Sequence, residues 1–340
     1  MQATEHLAYA LGVPEASGLI RTAPEDFQVD EDLGFELTGE GEHVCLHIRK
    51  RNANTDFIAK QIARLAGVKS MDVSYAGLKD RHAVTTQWFS IYLANKPEPN
   101  WSQLNSDEVE VVKVLRHNRK LRRGSLKGNH FKLVLRELVG DQVLLEQRLQ
   151  TISTMGVPNY FGEQRFGRDN LAKATGMFKA EFKVKDRNKR SMYLSAARSA
   201  IFNEVLSTRV AAGNWDQALA GDLMMLDGSH SVFAVETVDD EIRRRIAEHD
   251  IHPSGPLWGR GRLSTTADAL QLEQQCAEKF ALFCNGLEHA GMKQERRALR
   301  LPVRDLSWQF DEANLSLNFF LPSGCYATAV LRELINYTAN

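Results

Sequence analysis

The sequence predicts an α+β fold built around a mixed, mostly antiparallel sheet. Short segments with apolar residues in alternation recur along the first 150 residues, and helical patterns lie between them. Strand-like segments return near Leu301 and a last helix follows them. The chain has 340 residues, more than most single hydrophobic cores organise, so two domains are expected.

The first region alternates strands and helices. The segment HVCLHIRK follows a Gly-rich turn and has the composition of a strand. After it, Phe57, Ile58, Ile62 and Leu65 recur at helical spacing behind an N-cap at Asn54 or Thr55. The strands predicted here are His43–Lys50, Gln87–Ala94, Val109–Arg116 and His130–Leu138, and the helices are Thr55–Ala66 and Asp141–Thr154.

The character of the sequence changes after Pro158. Helices are predicted over Ser195–Arg209 and within Ala267–His289, with Gly/Asp-rich turns between them. The last part of the chain has the same kind of strand and helix patterns as the first region. It contains predicted strands at Leu301–Phe310 and Leu315–Pro322 and a predicted helix at Ala327–Tyr337. We therefore expect one catalytic domain split by an insertion, with the first part at 1–153, the insertion at 154–303 and the last part at 304–340.

Composition argues against a membrane protein, a secreted protein and a zinc-binding protein. Apolar residues make up 43% of the chain and charged residues 25%, which is ordinary for a globular protein. No stretch approaches the 18 or so apolar residues of a membrane span, and the N-terminus lacks the pattern of a signal peptide. The four cysteines form no CxxC pair, which fits reduced thiols and gives no zinc cage. These features predict a cytoplasmic protein.

Basic residues are segregated along the chain although the formal net charge is zero. Arg116–Lys132 contains seven Lys or Arg and no acid, and Lys183–Arg190 contains five with one Asp. Such blocks can neutralise phosphates locally and bind nucleic acid in a salt-dependent way. The alternative is that they are solvated loops or helix faces.

One loop presents a single acid among basic and titratable side chains. Lys79-Asp80-Arg81-His82 follows Gly77 and precedes a strand. Opposite charges nearby favour the carboxylate form of Asp80, which could then act as a nucleophile or a base. The alternative is a turn in which Asp80 caps a backbone amide.

Two further segments carry polar or aromatic residues at strand ends. In the segment LKGNHF, Asn129 could pair with a uracil edge and Phe131 could stack on a base for about 1–3 kcal/mol. Otherwise Asn129 occupies a left-handed turn and Phe131 faces the core. The segment VPNYFGEQRFG interleaves aromatics with Arg and Gly, as RNA-facing loops do, but it could equally be a linker with buried aromatics.

Taken together, these segments resemble one family. AGLKDRHAVTTQW resembles the catalytic signature of the TruD family of tRNA pseudouridine synthases. The likeness continues in EDFQVDEDLGFELTGEGEH, RKRNANT, LKGNHF, VPNYFGEQRFG, RNKRSMYLSAARSAIFN and LPSGCYATAVLREL. It covers almost the whole chain in order and is weakest between Trp215 and Arg296.

The resemblance implies a pseudouridine-synthase catalytic fold, a family-specific α+β insertion domain and conversion of tRNA uridine 13 to pseudouridine. It places the nucleophile on Asp80, paired with Arg21. It places substrate contacts on Phe27, Asn129, Phe131 and Tyr326. Tyr326 stands where the family often has phenylalanine, and its hydroxyl has no role assigned by the resemblance. The sequence stops soon after Leu334-Ile335-Asn336, so no longer C-terminal tail is expected.

Isomerisation breaks the N1–C1′ bond, turns the uracil and joins C5 to C1′ without redox change, so neither cofactor nor metal is expected. The sequence accordingly has no HExxH, deaminase cysteine pair, P-loop or GxGxxG at a strand–helix junction. Asp80 could attack C1′ or remove the 2′ proton, and the sequence does not separate the routes. The rival functions are RNA binding without catalysis, and a nucleoside hydrolase, which normally uses a second carboxylate.

The expected partner is tRNA, bound by a monomer without membrane or protein partners. Further RNA contacts are predicted for basic side chains in the Asp80 loop and in the basic segments. They are Lys79, Arg81, His82, Arg122, Arg123, Lys127, Arg165, Lys189 and Arg190.

Overall fold

A computed structural model describes residues 4–94 and 96–339. The chain separates into two compact units, each assembled from several stretches of sequence. The large-sheet unit takes residues from 15 to 142, 303 to 324 and 335 onward. The helical unit takes the residues up to Pro14, then 143 to 302 and 325 to 334.

Strands and helices alternate along the chain. The strands are, in order, β1 (Ser17–Ile20), β2 (Phe27–Asp32), β3 (His43–Arg51), β4 (Val73–Tyr75), β5 (Val84–Tyr92), β6 (Val109–His117), β7 (Gly128–Val139), β8 (Val157–Pro158), β9 (Leu223–Leu226), β10 (Val232–Ala234), β11 (Ile251–Leu257), β12 (Glu295–Ala298), β13 (Arg300–Leu301), β14 (Arg304–Asp311), β15 (Asn314–Pro322) and β16 (Asn336–Ala339). The helices are α1 (Thr55–Leu65), α2 (Gln142–Met155), α3 (Glu163–Phe166), α4 (Asn170–Phe178), α5 (Arg187–Ala211), α6 (Asp240–Ala247), α7 (Ala267–Glu278), α8 (Ala281–His289) and α9 (Ala327–Leu334).

The large-sheet unit carries, within the described residues, a ten-stranded sheet. Its main path runs β14-β15-β7-β2-β5-β3-β6, while β1, β16 and β4 pair off this path. The pairs β2–β5 and β1–β16 are parallel and the other pairs are antiparallel. This is the mixed, mostly antiparallel sheet that the sequence predicts.

One face of β3 forms the core against α1. Alternate residues of β3 point the same way, so Val44, Leu46 and Ile48 are all fully buried. They belong to one apolar cluster with Ile58 and Ile62, which lie one helical turn apart on α1. The amphipathic patterns of both elements therefore determine how they pack.

The helical unit is organised around the long helix α5. Phe202 and Leu206, one turn apart on α5, are fully buried in a cluster with Phe161 and Trp215. A four-stranded sheet of order β10-β9-β11-β12 belongs to the same unit. None of the helices in residues 4–94 and 96–339 is long and apolar enough to cross a membrane.

Several elements differ from the sequence prediction. The helix expected over Ala327–Tyr337 ends at Leu334, and Asn336–Ala339 instead forms a strand parallel to β1. Pairing with an available sheet edge overrides the local helical pattern there. The strands β1 and β2 were not predicted. The helix predicted from Ser195 begins earlier, at Arg187, where Asp186 caps it.

Candidate active site

Asp80 lies in the loop that joins β4 to β5. Those two strands pair antiparallel, so the loop connects them at the same end of the sheet. The Asp80 carboxylate is 34% exposed and accepts a hydrogen bond from Arg21, with Nη2 2.9 Å from Oδ2. A partly exposed carboxylate that the Arg21 guanidinium orients stays accessible to a ligand.

Arg21 is held in an unusual conformation. Its φ is +59°, in the left-handed region that costs a non-glycine residue on the order of 1 kcal/mol or more. Its guanidinium carbon lies 4.1 Å from the centroid of the Phe27 ring, a cation–π contact. Strain of this kind persists only where surrounding contacts impose it, which here are the Phe27 ring and Asp80.

Phe27 and Phe131 lie in the core beneath this ion pair. They are 3% and 8% exposed, and their rings meet edge to face at 6.2 Å. Phe131 also stacks on Phe319 at 5.3 Å across the pairing of β7 and β15. In this structure the two rings support Arg21 and the sheet. Direct stacking of either ring on a base stays a prediction.

Buried polar side chains from three elements anchor the Asp80 loop. Lys50, fully buried at the end of β3, donates to the Asp80 carbonyl at 3.1 Å and the Ala53 carbonyl at 2.7 Å. Burial lowers the pKa of Lys50 to about 8. The Thr55 hydroxyl accepts from the Lys79 amide at 3.2 Å and donates to Gln87 at 2.9 Å.

The same network continues to Gly77, whose carbonyl accepts from the Gln87 amide at 3.1 Å. Thr55 and Gln87 are 2% and 0% exposed. Buried polar groups that are mutually satisfied rigidify their surroundings, so the loop backbone is fixed on both sides of Asp80. No anchoring role was predicted for Lys50, Thr55 or Gln87.

Lys79 points into the unit. Its ammonium lies 3.0 Å from Glu31 Oε2, and the two side chains are 7% and 0% exposed. The same ammonium donates to Asn129 Oδ1 at 2.5 Å. Burial raises the pKa of Glu31, while Lys79 opposes that shift. The phosphate contact predicted for Lys79 is therefore not available in this structure, because its charge is used inside the unit.

Tyr326 belongs to the helical unit and directly precedes α9. Its hydroxyl accepts a hydrogen bond from Arg165 Nη2 at 2.6 Å, and its ring meets Phe161 edge to face at 6.1 Å. Arg165 also donates to the Ser195 hydroxyl at 2.7 Å. The hydroxyl that the resemblance left without a role thus orients Arg165, whose predicted RNA contact stays a prediction.

The other residues predicted to contact RNA are exposed: Arg81, His82, Arg122, Arg123, Lys127, Lys189 and Arg190. Lys127 lies 3.9 Å from Asp32 and its ammonium is 5.7 Å from the Phe320 ring centroid. Lys189 and Arg190 lie in the first turn of α5 in the helical unit. Of the residues predicted to react with or contact the uridine, Arg21, Phe27, Asp80, Asn129 and Phe131 fall in the large-sheet unit and Tyr326 falls in the helical unit.

Replacing Phe27 with alanine should destabilise the protein by about 3–5 kcal/mol, because the ring is buried and its removal leaves a cavity. Urea unfolding measures this loss. Phe57→Ala is the matched control, since Phe57 is 53% exposed in the same unit and should cost under about 1 kcal/mol. Equal losses for both variants would contradict the support role of Phe27.

Tyr326→Phe should destabilise the protein by about 1.5–3 kcal/mol, because it removes a hydrogen bond to a charged guanidinium. Tyr193→Phe serves as a control in the same unit, on α5, where the hydroxyl forms no hydrogen bond to any residue of the described ranges 4–94 and 96–339. Thermal and urea unfolding of both variants make the comparison. A Tyr326→Phe protein as stable as the Tyr193→Phe protein would refute this role for the hydroxyl.

Comparisons with known proteins give the same family over nearly the whole chain. A family model described as tRNA pseudouridine synthase D (TruD) matches residues 4–175 and 169–334. Proteins called tRNA pseudouridine synthase D from Nitrosococcus oceani and Methylococcus capsulatus are each 52% identical to the chain. The first alignment covers 97% of the chain and 93% of the relative, and the second covers 98% and 95%.

A crystal structure described as a putative tRNA pseudouridine synthase D from Methanosarcina mazei resembles the whole fold. Its TM-score is 0.73 at 21% identity, over 96% of this chain and 95% of that one. At this level of identity the likeness concerns the fold.

Proposed function

The chain belongs to the tRNA pseudouridine synthase D (TruD) family, and from this premise we propose that Asp80 is the nucleophile with which it converts uridine to pseudouridine. The fold is the pseudouridine-synthase fold, and the enzyme is an isomerase acting on uridine in tRNA. We assign uridine 13 as the target from the family resemblance.

The observation that carries the assignment of Asp80 is its geometry. The carboxylate is partly exposed, oriented by Arg21, and mounted on a loop that Lys50, Thr55 and Gln87 fix from below. A preorganised nucleophile avoids the cost of ordering it during the reaction. Neither an RNA-binding loop nor a surface turn needs a buried network of this kind to hold one carboxylate.

In the proposed reaction the N1–C1′ bond breaks, the uracil turns, C5 joins C1′, C5 loses its proton and N1 gains one. Asp80 takes part either by attack on C1′ or by removal of the 2′ proton. The target base must first leave the helical stack, which costs a few kcal/mol. Atoms and charge balance on both routes without any group other than the substrate and the side chain.

Asn129 offers the substrate a hydrogen-bond donor in this proposal. Its Oδ1 faces the Lys79 ammonium, which can only donate, so the amide nitrogen is left for the ligand. An NH₂ group matches a uracil carbonyl and opposes the exocyclic amine of cytosine. The buried Glu31–Lys79 pair would thereby fix which face of the amide meets the base.

The test of function uses tRNA labelled with tritium at C5 of uridine. Release of label with the base retained, and a single modified position at uridine 13, are the expected results. Free uracil or an abasic site would indicate a hydrolase, and tRNA binding without release of label would indicate a non-catalytic RNA-binding protein. Either outcome would overturn the proposal.

We further propose that the middle of the helical unit corresponds to the family insertion, and that the enzyme acts as a cytoplasmic monomer. The four cysteines are all unpaired thiols, which supports a reducing compartment. The exposure of Arg81, His82, Lys189 and Arg190 supports their assignment as RNA contacts. Sedimentation of the enzyme with and without tRNA measures the stoichiometry.

A further inference from the structure

The large-sheet unit contains a cavity that lies beside the Asp80 loop and takes no part in the reaction described above. Its volume is about 530 Å³. Residues of α1, the short turn at Ser70–Asp72, strand β4 and the segment 120–123 line it. The size suits one or two nucleotides rather than a water cluster.

The lining is strongly cationic. Lys60, Lys120, Arg122 and Arg123 surround the cavity, and Asp56 is the one carboxylate on its wall in the part of the chain described. In residues 4–94 and 96–339 none of the four cations forms an ion pair with a carboxylate. Like charges around one cavity repel each other, so an anion bound there would relieve that repulsion.

Asp56, the only acid among the described residues of the lining, already has a hydrogen-bond partner. Asp56 accepts a hydrogen bond from the Tyr75 hydroxyl, and burial, together with this contact, raises the pKa of Tyr75. Arg123 lies over the Tyr75 ring at 5.8 Å. Met71 is 73% exposed at the rim, which gives an apolar surface next to the cations.

We propose that this cavity binds two neighbouring phosphates of the substrate tRNA, with the intervening nucleoside against Met71. Arginine forks match phosphate oxygens in bidentate geometry, and the exposed thioether of Met71 can pack against a sugar or base. The inference deepens the proposed function, since it assumes that the ligand of the enzyme is tRNA.

The cavity is linked through the backbone to the proposed nucleophile. The Gly124 amide, next to Arg123, donates to the Ala76 carbonyl at 2.7 Å. Ala76 opens the loop that carries Asp80. A phosphate held by Arg122 and Arg123 would therefore fix the position of the RNA relative to the Asp80 loop. This contact should contribute to binding rather than to the chemical step.

The test compares Arg122→Ala/Arg123→Ala with Arg64→Ala/Lys113→Ala, a control that removes two exposed cations of the same unit outside the cavity. The dissociation constant for tRNA is measured over a range of salt. The slope of log K against log[salt] should fall by about 1.4–1.8 for the first variant, near 0.7–0.9 per lost phosphate contact, and stay unchanged in the control. Lys60→Ala/Lys120→Ala, which removes the other two cations of the lining, should behave like the first variant.

The affinity for tRNA should fall by a larger factor than the rate at saturating tRNA does, because the residues bind the RNA and do not react. Equal slopes in the cavity variants and the control would overturn the proposal. Loss of inorganic-phosphate binding with an unchanged tRNA slope would assign the cavity to a free anion and overturn it too. Failure of the proposed function shows separately, as wild-type enzyme that binds tRNA but releases no label from C5.

Discussion

Asp80→Asn is expected to reduce tritium release from C5-labelled tRNA to below about 1% of the wild-type rate. Asparagine keeps the size of the side chain but removes the charge and the nucleophilic oxygen. The loop should keep its place, because Lys50 binds the backbone carbonyl of residue 80 and not the carboxylate. The affinity for tRNA should therefore stay within about threefold of the wild type.

Asp30→Asn provides the matched control for this variant. Asp30 is an exposed aspartate on β2 in the same unit, and its substitution removes the same charge. Rates and affinities of the three proteins are measured on one tRNA preparation. If Asp80→Asn turns over at more than about 2% of the wild-type rate, Asp80 is not the nucleophile.

Lys79→Met is expected to destabilise the protein by about 3–5 kcal/mol, because it leaves the Glu31 carboxylate buried without its cation. Methionine has a similar length, so lost packing contributes little. The variant should also turn over slowly, since Asn129 loses the group that orients its amide. Urea unfolding and label release measure the two effects.

The pH dependence distinguishes the lost charge pair from a packing defect. Burial raises the pKa of Glu31, so the folded protein holds the Glu31 proton more tightly than the unfolded chain does. The destabilisation in Lys79→Met should consequently grow as pH rises through that raised pKa and shrink as pH falls. A loss that is the same at pH 5 and pH 8 would contradict this explanation.

A companion variant and a control complete the comparison. Glu31→Gln in the Lys79→Met chain should recover most of the stability, because no unpaired charge is then buried. Lys113→Met, on the exposed side of β6, should change the free energy of unfolding by under about 1 kcal/mol. If Lys79→Met is no less stable than Lys113→Met, the buried pair does not stabilise the site.

Apolar alternation was sufficient to predict the strands β3, β5, β6, β7, β14 and β15. It failed for β2, where EDFQVDED contains two apolar residues among five acids. The structure explains the failure, because the inward positions of β2 are Phe27, Val29 and Glu31, and Glu31 is tolerated there by pairing with Lys79. No local pattern reveals a partner that lies 48 positions away in sequence.

The motifs predicted the residues of the candidate site, but they did not predict the buried side chains that hold the Asp80 loop in place. Asp80 is recognisable in the sequence as one acid among basic neighbours. Lys50 is not, because a lysine at the end of a predicted strand is ordinary. A signal was present, since Lys50 continues the inward series of Val44, Leu46 and Ile48. A charged residue at an inward position of a strand marks a buried polar contact, although only the structure names the groups it binds.

The pairing of β15 with β7 also constrains how the protein can be made. The two strands pair over eight positions, yet β7 ends at Val139 and β15 begins at Asn314. During N-to-C synthesis, β7 therefore emerges from the ribosome long before the strand that covers its outer side, with its amides and carbonyls unpaired. Release of a nascent chain before Asn314 would leave that edge open to other chains, so truncated products should aggregate rather than persist as half-enzymes.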